Sequence, residues 1–138
     1  MKIILYLWQL PQHFLALIIW AILRIAVRTR RVENRSCLNL STILIWVNIS
    51  SWGLSLGKYI FIDNRFSETT VKHEMGHSIQ SRRFGPLYLL IVGFPSITRN
   101  IWQRLFHKNW TRQDRVKWYY SSWPENHADK LGGVKRRF

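Results

Sequence analysis

From Ile3 to Leu23 the chain carries no formally charged residue, a length that suits a bilayer-spanning helix. Gln9, Pro11, Gln12 and His13 dilute the first half, and the strongly apolar part, Phe14 to Leu23, is about half a span. A helix lying in the membrane interface is therefore the second reading, close behind a spanning one, with Trp8 and Trp20 as anchors. A secretory signal peptide beginning at Lys2 ranks last, because no small-residue cleavage site follows. Arg24, Arg28, Arg30 and Arg31 come next. They read as a positive flank that keeps the rest of the chain on the cytoplasmic side of a bacterial-type inner membrane, or as a grip on anionic headgroups.

Beyond a linker around residues 30–36 the period changes. Thr42 to Ile49 is rich in β-branched and aromatic residues, Ser50-Ser51-Trp52-Gly53 offers a turn, and Leu54 to Ile62 alternates, which predicts a β-hairpin. A helix follows, with Ser67, Thr69 and Thr70 as cap candidates, Glu68 near its positive end and Gly85-Pro86 as its stop. Val71, Met75 and Ile79 fall on a packing face of that helix, and Gly76 allows close approach to a metal or a neighbouring strand. Leu87 to Phe94 is apolar but interrupted at Gly93 and Pro95, too short to span alone, and either dips into lipid or joins the core. Trp102, Phe106 and Trp110, interleaved with Arg99, Arg104, Lys108 and Arg112, read as a basic amphipathic helix on an anionic surface, or as a solvated helix with a core stripe. Pro124 suits the start of a last helix, and Lys135-Arg136-Arg137 reads as a solvated tail. The pattern predicts an α+β fold: residues 1–30 as an apolar helix with its basic flank, residues 31–138 as a minimal body of small sheet and helices.

Composition narrows the partners. A net charge of +14 over 138 residues suits phospholipid or nucleic acid, and eight tryptophans favour lipid, because indole rings prefer the membrane interface. The lone cysteine, Cys37, excludes an intrachain disulfide and any cysteine-based metal site, and reads as a small apolar residue.

The chemistry lies in His73-Glu74-Met75-Gly76-His77. On a helix His73 and His77 stack one turn apart and offer two imidazole nitrogens to one metal ion, while Glu74 sits beside it, where a general base for an attacking water belongs. A catalytic zinc takes three protein ligands and keeps a fourth position open, so a third is required. Glu125 is the natural supplier, and Asp129, one turn on, can orient a ligand histidine through its other ring nitrogen. His127, at i+2 from Glu125, points away from it on a helix, and His13 and His107 read as bland surface or interface residues. Tyr119 or Tyr120 could donate to an oxyanion, with core packing as the alternative for each.

HExxH followed by Glu125-Asn126-His127-Ala128-Asp129 and Leu131-Gly132-Gly133 resembles the gluzincin metallopeptidases, most closely the CAAX prenyl protease type and the short minigluzincins. The words around His77-Ser78-Ile79-Gln80-Ser81, Gly85-Pro86-Leu87-Tyr88-Leu89 and Pro124-Glu125 are similar to small bacterial membrane-associated proteins with the same core. The likeness covers roughly residues 53 to 134, without the several spanning helices of the larger proteases. It implies a minimal zincin-like fold, zinc on His73, His77 and Glu125, a water polarised by Glu74, Asp129 behind the ligands, and hydrolysis of a peptide or protein substrate at a membrane. It also implies a substrate-binding strand, which Leu56 to Phe61 resembles, an ordinary core strand being the alternative. A site-2-type intramembrane protease is disfavoured by Lys72, Arg82 and Arg83 on the motif helix. A zinc-stabilised membrane adaptor would not require Glu74, and a nucleic-acid-binding protein would explain the charge but not the ligand set.

Overall fold

A computed structural model of the protein describes residues 2–27, 31–37, 40–50 and 52–138. In chain order the elements are α1 (Lys2–Trp8), α2 (Leu10–Ala26), β1 (Arg31–Cys37), β2 (Leu40–Val47), β3 (Gly53–Leu56), β4 (Tyr59–Asp63), α3 (Glu68–Phe84), α4 (Phe94–Phe106), α5 (Arg112–Tyr120) and α6 (Glu125–Gly132). A 3₁₀ turn, Gly85–Leu87, and a π-helical segment, Leu89–Gly93, join α3 to α4. The class is α+β, with one four-stranded sheet of order β1-β2-β4-β3.

The sheet corrects the predicted hairpin. β2 and β4 are neighbours but run parallel, Ile43 opposite Tyr59 and Val47 opposite Asp63, so no hairpin joins them. The second run is instead a hairpin in itself: β3 and β4 pair antiparallel with Leu56 opposite Tyr59, closed by Gly57-Lys58 with Gly57 at φ 63°. A two-residue loop opening on glycine signals such a turn, and the alternation of Leu54 to Ile62 hides it. Ser51 of the expected turn lies outside the described residues. The expected linker is largely a strand too. β1 pairs antiparallel with β2 along its whole length, Arg31 opposite Trp46 and Cys37 opposite Leu40. Its polar sequence is that of an edge strand held by the backbone ladder, with Glu33 paired to Arg31 and Arg35.

Period-two alternation divides the core. Ile60 and Ile62 of β4 join Leu44, Val71 and Met75 on the face covered by α3, with Ile79 only half-buried. Tyr59 and Phe61 point to the other face, with Ile45 and Val47 of β2, Ala16 and Leu23 of α2, Tyr88, and Val92 of the π segment. The sheet thus lies between α3 and α2, with β4 buried on both faces and the edge strand β1 largely exposed.

At the N-terminus the helix breaks at Gln9 into α1 and α2. The polar residues that dilute the apolar stretch are the ones turned inward. Gln9 donates to Ser81 Oγ at 2.8 Å, Gln12 donates to the Gly85 carbonyl, and Trp8 donates to the Arg82 carbonyl at 3.1 Å. His13 is buried rather than a surface residue, edge-on to Tyr59, because it sits on the same inward stripe. Among the described residues no helix is long and apolar enough to cross a membrane. Arg28, Arg30 and the side chains of Lys2 and Cys37 lie outside the described residues.

Gly93 and Pro95 do not end the helical path after Leu87. Pro95 has no N–H to give to Ile91, and the freed Ile91 carbonyl accepts the indole N–H of Trp123 at 3.1 Å. The π segment absorbs the proline ring, and α4 runs on through the expected amphipathic stretch to Phe106. Trp110 follows that helix rather than belonging to it.

Candidate metal centre

Two helices build the centre, and small residues set their distance. α3 begins at Ser67, whose extended backbone rather than its side chain forms the cap, and stops at Gly85, at φ 51°. A Cβ on Gly76 would overlap the carbonyl oxygen of Ala128, and one on Gly132 would overlap that of Lys72, so α3 and α6 touch backbone to backbone. The close approach expected of Gly76 is therefore to a helix, not to a metal or strand.

That contact carries His73 and His77 to Glu125. His73 Nε2 and His77 Nε2 lie 3.0 and 3.2 Å from the same oxygen, Glu125 Oε2, and all three residues are buried. One ligand atom from each lies within 4.8 Å of the other two, so the trio can hold a metal ion.

The outer nitrogens are fixed independently. His73 Nδ1 faces Asp129 Oδ1 at 2.7 Å, the place expected of Asp129. His77 Nδ1 faces Gln80 Oε1 at 2.7 Å, while Gln80 Nε2 donates to the Pro124 carbonyl at 3.0 Å and to His127 Nδ1 at 2.9 Å. A carbonyl can only accept, so the Gln80 amide is oriented and His77 must donate from Nδ1. With Nδ1 of each ring engaged from behind, Nε2 is the nitrogen each turns to the common centre, where a neutral ring offers its lone pair to a metal.

Gln80 was not anticipated, although its place three residues after His77 on one helix face signals it. Arg136 was missed as well. Its neighbours Lys135 and Arg137 are exposed as expected, but Arg136 grips Asp129 through Nε at 2.6 Å and Nη2 at 3.0 Å and lies 3.5 Å over the Tyr120 ring. The left-handed turn at Gly133, φ 69°, folds the tail back toward Asp129. His127, expected to point away, reaches the site indirectly through Gln80 and stacks on Trp123. His107 stacks on Trp110 with ring centroids 3.8 Å apart and takes no part.

Burial and charge set the protonation. Burial alone would lower the His73 pKa, but hydrogen bonds to Asp129 and Glu125 outweigh it and push it up to about 9 in the metal-free site. Burial would raise Glu125, yet the imidazoles of His77 and His73 hold it well below the usual carboxylate range. Glu74 is raised by burial against the opposing pull of His77 and His73. Among the described residues nothing hydrogen-bonds its carboxylate, which faces Gly53: a Cβ there would sit 2.6 Å from Oε1.

A cleft of about 230 Å³ opens over these groups. Glu74, the ligand trio and Tyr120 form its polar floor, Leu15 and Ile19 of α2 and Val92 and Ile97 its apolar walls, and β3 one side. The strand beside the site is thus β3, Gly53–Leu56, at the sheet edge, whereas Tyr59 to Phe61 lies in the interior strand β4. The two tyrosines separate. Tyr119 donates to Glu125 Oε1 at 3.0 Å and bonds Ser96, so it supports a ligand. Tyr120 stands edge-on to His73 at 5.0 Å, and among the described residues its hydroxyl has no hydrogen-bond partner.

No protein-family model, curated protein or solved structure matches this chain.

Proposed function

We propose that the protein is a zinc-dependent metalloendopeptidase with a minimal gluzincin-type, zincin-like fold, working at a membrane surface. The observation that carries this reading is the convergence of His73 Nε2, His77 Nε2 and Glu125 Oε2 beside an unbonded carboxylate, Glu74, in one cleft. Two imidazoles and one carboxylate, each histidine held from behind by an acceptor, suit zinc with a position left open. When bound, zinc supplies a Lewis acid that polarises a peptide carbonyl and lowers the pKa of water.

The chain's own groups account for the rest. Glu74, made more basic by burial, accepts the proton of the attacking water and delivers it to the leaving amine. Tyr120, pushed up to about 12 chiefly by burial, stays protonated and donates to the developing oxyanion. The outer edge of β3 takes the substrate backbone as an added strand, and the apolar walls favour apolar side chains. Arg24, exposed near the end of α2, and Arg31, exposed at the start of β1, serve to grip anionic headgroups on the cytoplasmic face of a bacterial-type inner membrane.

A zinc-stabilised adaptor accounts for the ligands but gives no reason for a free carboxylate in the cleft, and nucleic-acid binding accounts for neither. The test is cleavage of a peptide library by the zinc-loaded full chain, read by mass spectrometry. Glu74→Gln is expected to keep its zinc and lose turnover by about 10²-fold or more. Full turnover in that variant refutes the role of Glu74, and a zinc-loaded wild type that cleaves nothing leaves the adaptor.

A further inference from the structure

We infer that the outward faces of α2 and α4 form one docking surface for an anionic phospholipid bilayer, with the cleft opening between them. α2 is built inside out. Gln12, His13, Ala16 and Leu23 point into the protein, while Phe14, Leu17, Ile18, Ile22 and Ile25 point away, Phe14 at 66% and Ile25 at 90% exposure. A helix bathed by water on that face shows the reverse distribution.

α4 repeats the inversion. None of its residues is buried, yet Phe94, Ile97, Ile101 and Leu105 recur at intervals of three and four on the exposed side, Phe94 at 66% and Leu105 at 56%. Its polar side turns inward: Ser96 bonds Tyr119, Arg99 donates to the Trp118 carbonyl at 2.8 Å, and Asn100 lines the cleft. Exposed apolar residues scattered singly mean little, but two continuous rows mark a contact surface. Leu15 and Ile19 of α2 and Ile97 and Asn100 of α4 line the same cleft, so both helices border it.

Charge selects the occupant. Arg24 near the end of α2 and Arg104, Lys108 and Arg112 around the end of α4 are exposed at the margins of the apolar rows. Anionic headgroups complement that rim, whereas a second copy would bring another +14 against it. The apolar face and its basic rim together suit a protein that lies on one leaflet. The link to catalysis rests on the peptidase reading: a cleft opening at the lipid surface takes substrate segments that emerge from the bilayer.

The test is flotation of the zinc-loaded full chain with vesicles of phosphatidylglycerol and phosphatidylethanolamine, against vesicles of phosphatidylcholine alone. Wild type is expected to float with the anionic vesicles and less with the neutral ones. The pairs Ile18→Glu with Ile22→Glu, and Ile101→Glu with Leu105→Glu, are each expected to lower partitioning about ten-fold or more with zinc content unchanged. Quenching of wild-type tryptophan fluorescence by brominated phospholipid is expected as well and needs no substitution. Absent flotation, absent quenching, a response to only one pair, or a stable dimer that both pairs dissolve would each overturn the joint lipid surface. None of these results touches the metal centre, and a zinc-free variant that still floats separates the two claims.

Discussion

Gln80 Oε1 accepts the Nδ1–H of His77 at 2.7 Å from one turn further along the same helix. The same amide donates to the Pro124 carbonyl, directly ahead of Glu125, so Gln80 ties two ligand-bearing helices together. Gln80→Ala frees the His77 ring to rotate and removes one of two donors to the Pro124 carbonyl, which keeps the Ala128 N–H at 3.1 Å. Zinc affinity is expected to fall about 10- to 100-fold, measured by chelator competition, with the helix content unchanged. An unaltered dissociation constant would show that Gln80 does not position the ligand.

Tyr120 bears on catalysis and not on metal retention. Tyr120→Phe keeps the ring edge on His73 and the face beneath Arg136 and removes only the unpartnered hydroxyl. Turnover should drop about 10²- to 10³-fold with zinc content and KM nearly unchanged. Wild-type turnover in steady-state kinetics would remove Tyr120 from the reaction.

The convergence of His73, His77, Glu125 and Asp129 was more legible than the topology. His73, Glu74 and His77 stand at fixed spacing on one helix, and the helix period alone places them. Glu125 and Asp129 follow from what a metal and a histidine need behind them. The limits of α3 were legible for the same local reason, in Ser67 and Gly85-Pro86. Strand pairing is a long-range choice, and nothing in Thr42 to Ile49 states that its partner is β4 running parallel. Arg31 to Ser36 looks like linker because an edge strand can be polar. Arg136 was hidden because only the fold brings it back to Asp129. Gln12 and His13 looked like flaws in an apolar segment until their partners, the Gly85 carbonyl and the Tyr59 ring, were in place.

The metal-free site predicts a pH dependence of definite sign. His73 is raised from 6.5 to about 9, so its contribution to stability is complete below about pH 6.5 and fades as pH climbs through about 9. Zinc needs the neutral ring at Nε2, so uptake near pH 7 displaces a proton, and affinity should rise up to about ten-fold per pH unit before levelling above about pH 9. Calorimetry in buffers of different ionisation enthalpy measures that proton. Thermal unfolding of the metal-free chain should give a lower midpoint at about pH 9 than at about pH 6. Uptake without proton release near pH 7 would contradict the coupling of His73 to Asp129 and Glu125.

Everything proposed for catalysis depends on three side chains holding one ion. The most direct measurement is zinc content by mass spectrometry of the purified chain, wild type beside Glu125→Ala, after adventitious ions are removed. About one zinc per wild-type chain, lost in the variant, is the predicted result for a site of three protein ligands. Equal zinc in both would remove Glu125 from the site, and none in wild type would contradict the metallopeptidase account altogether.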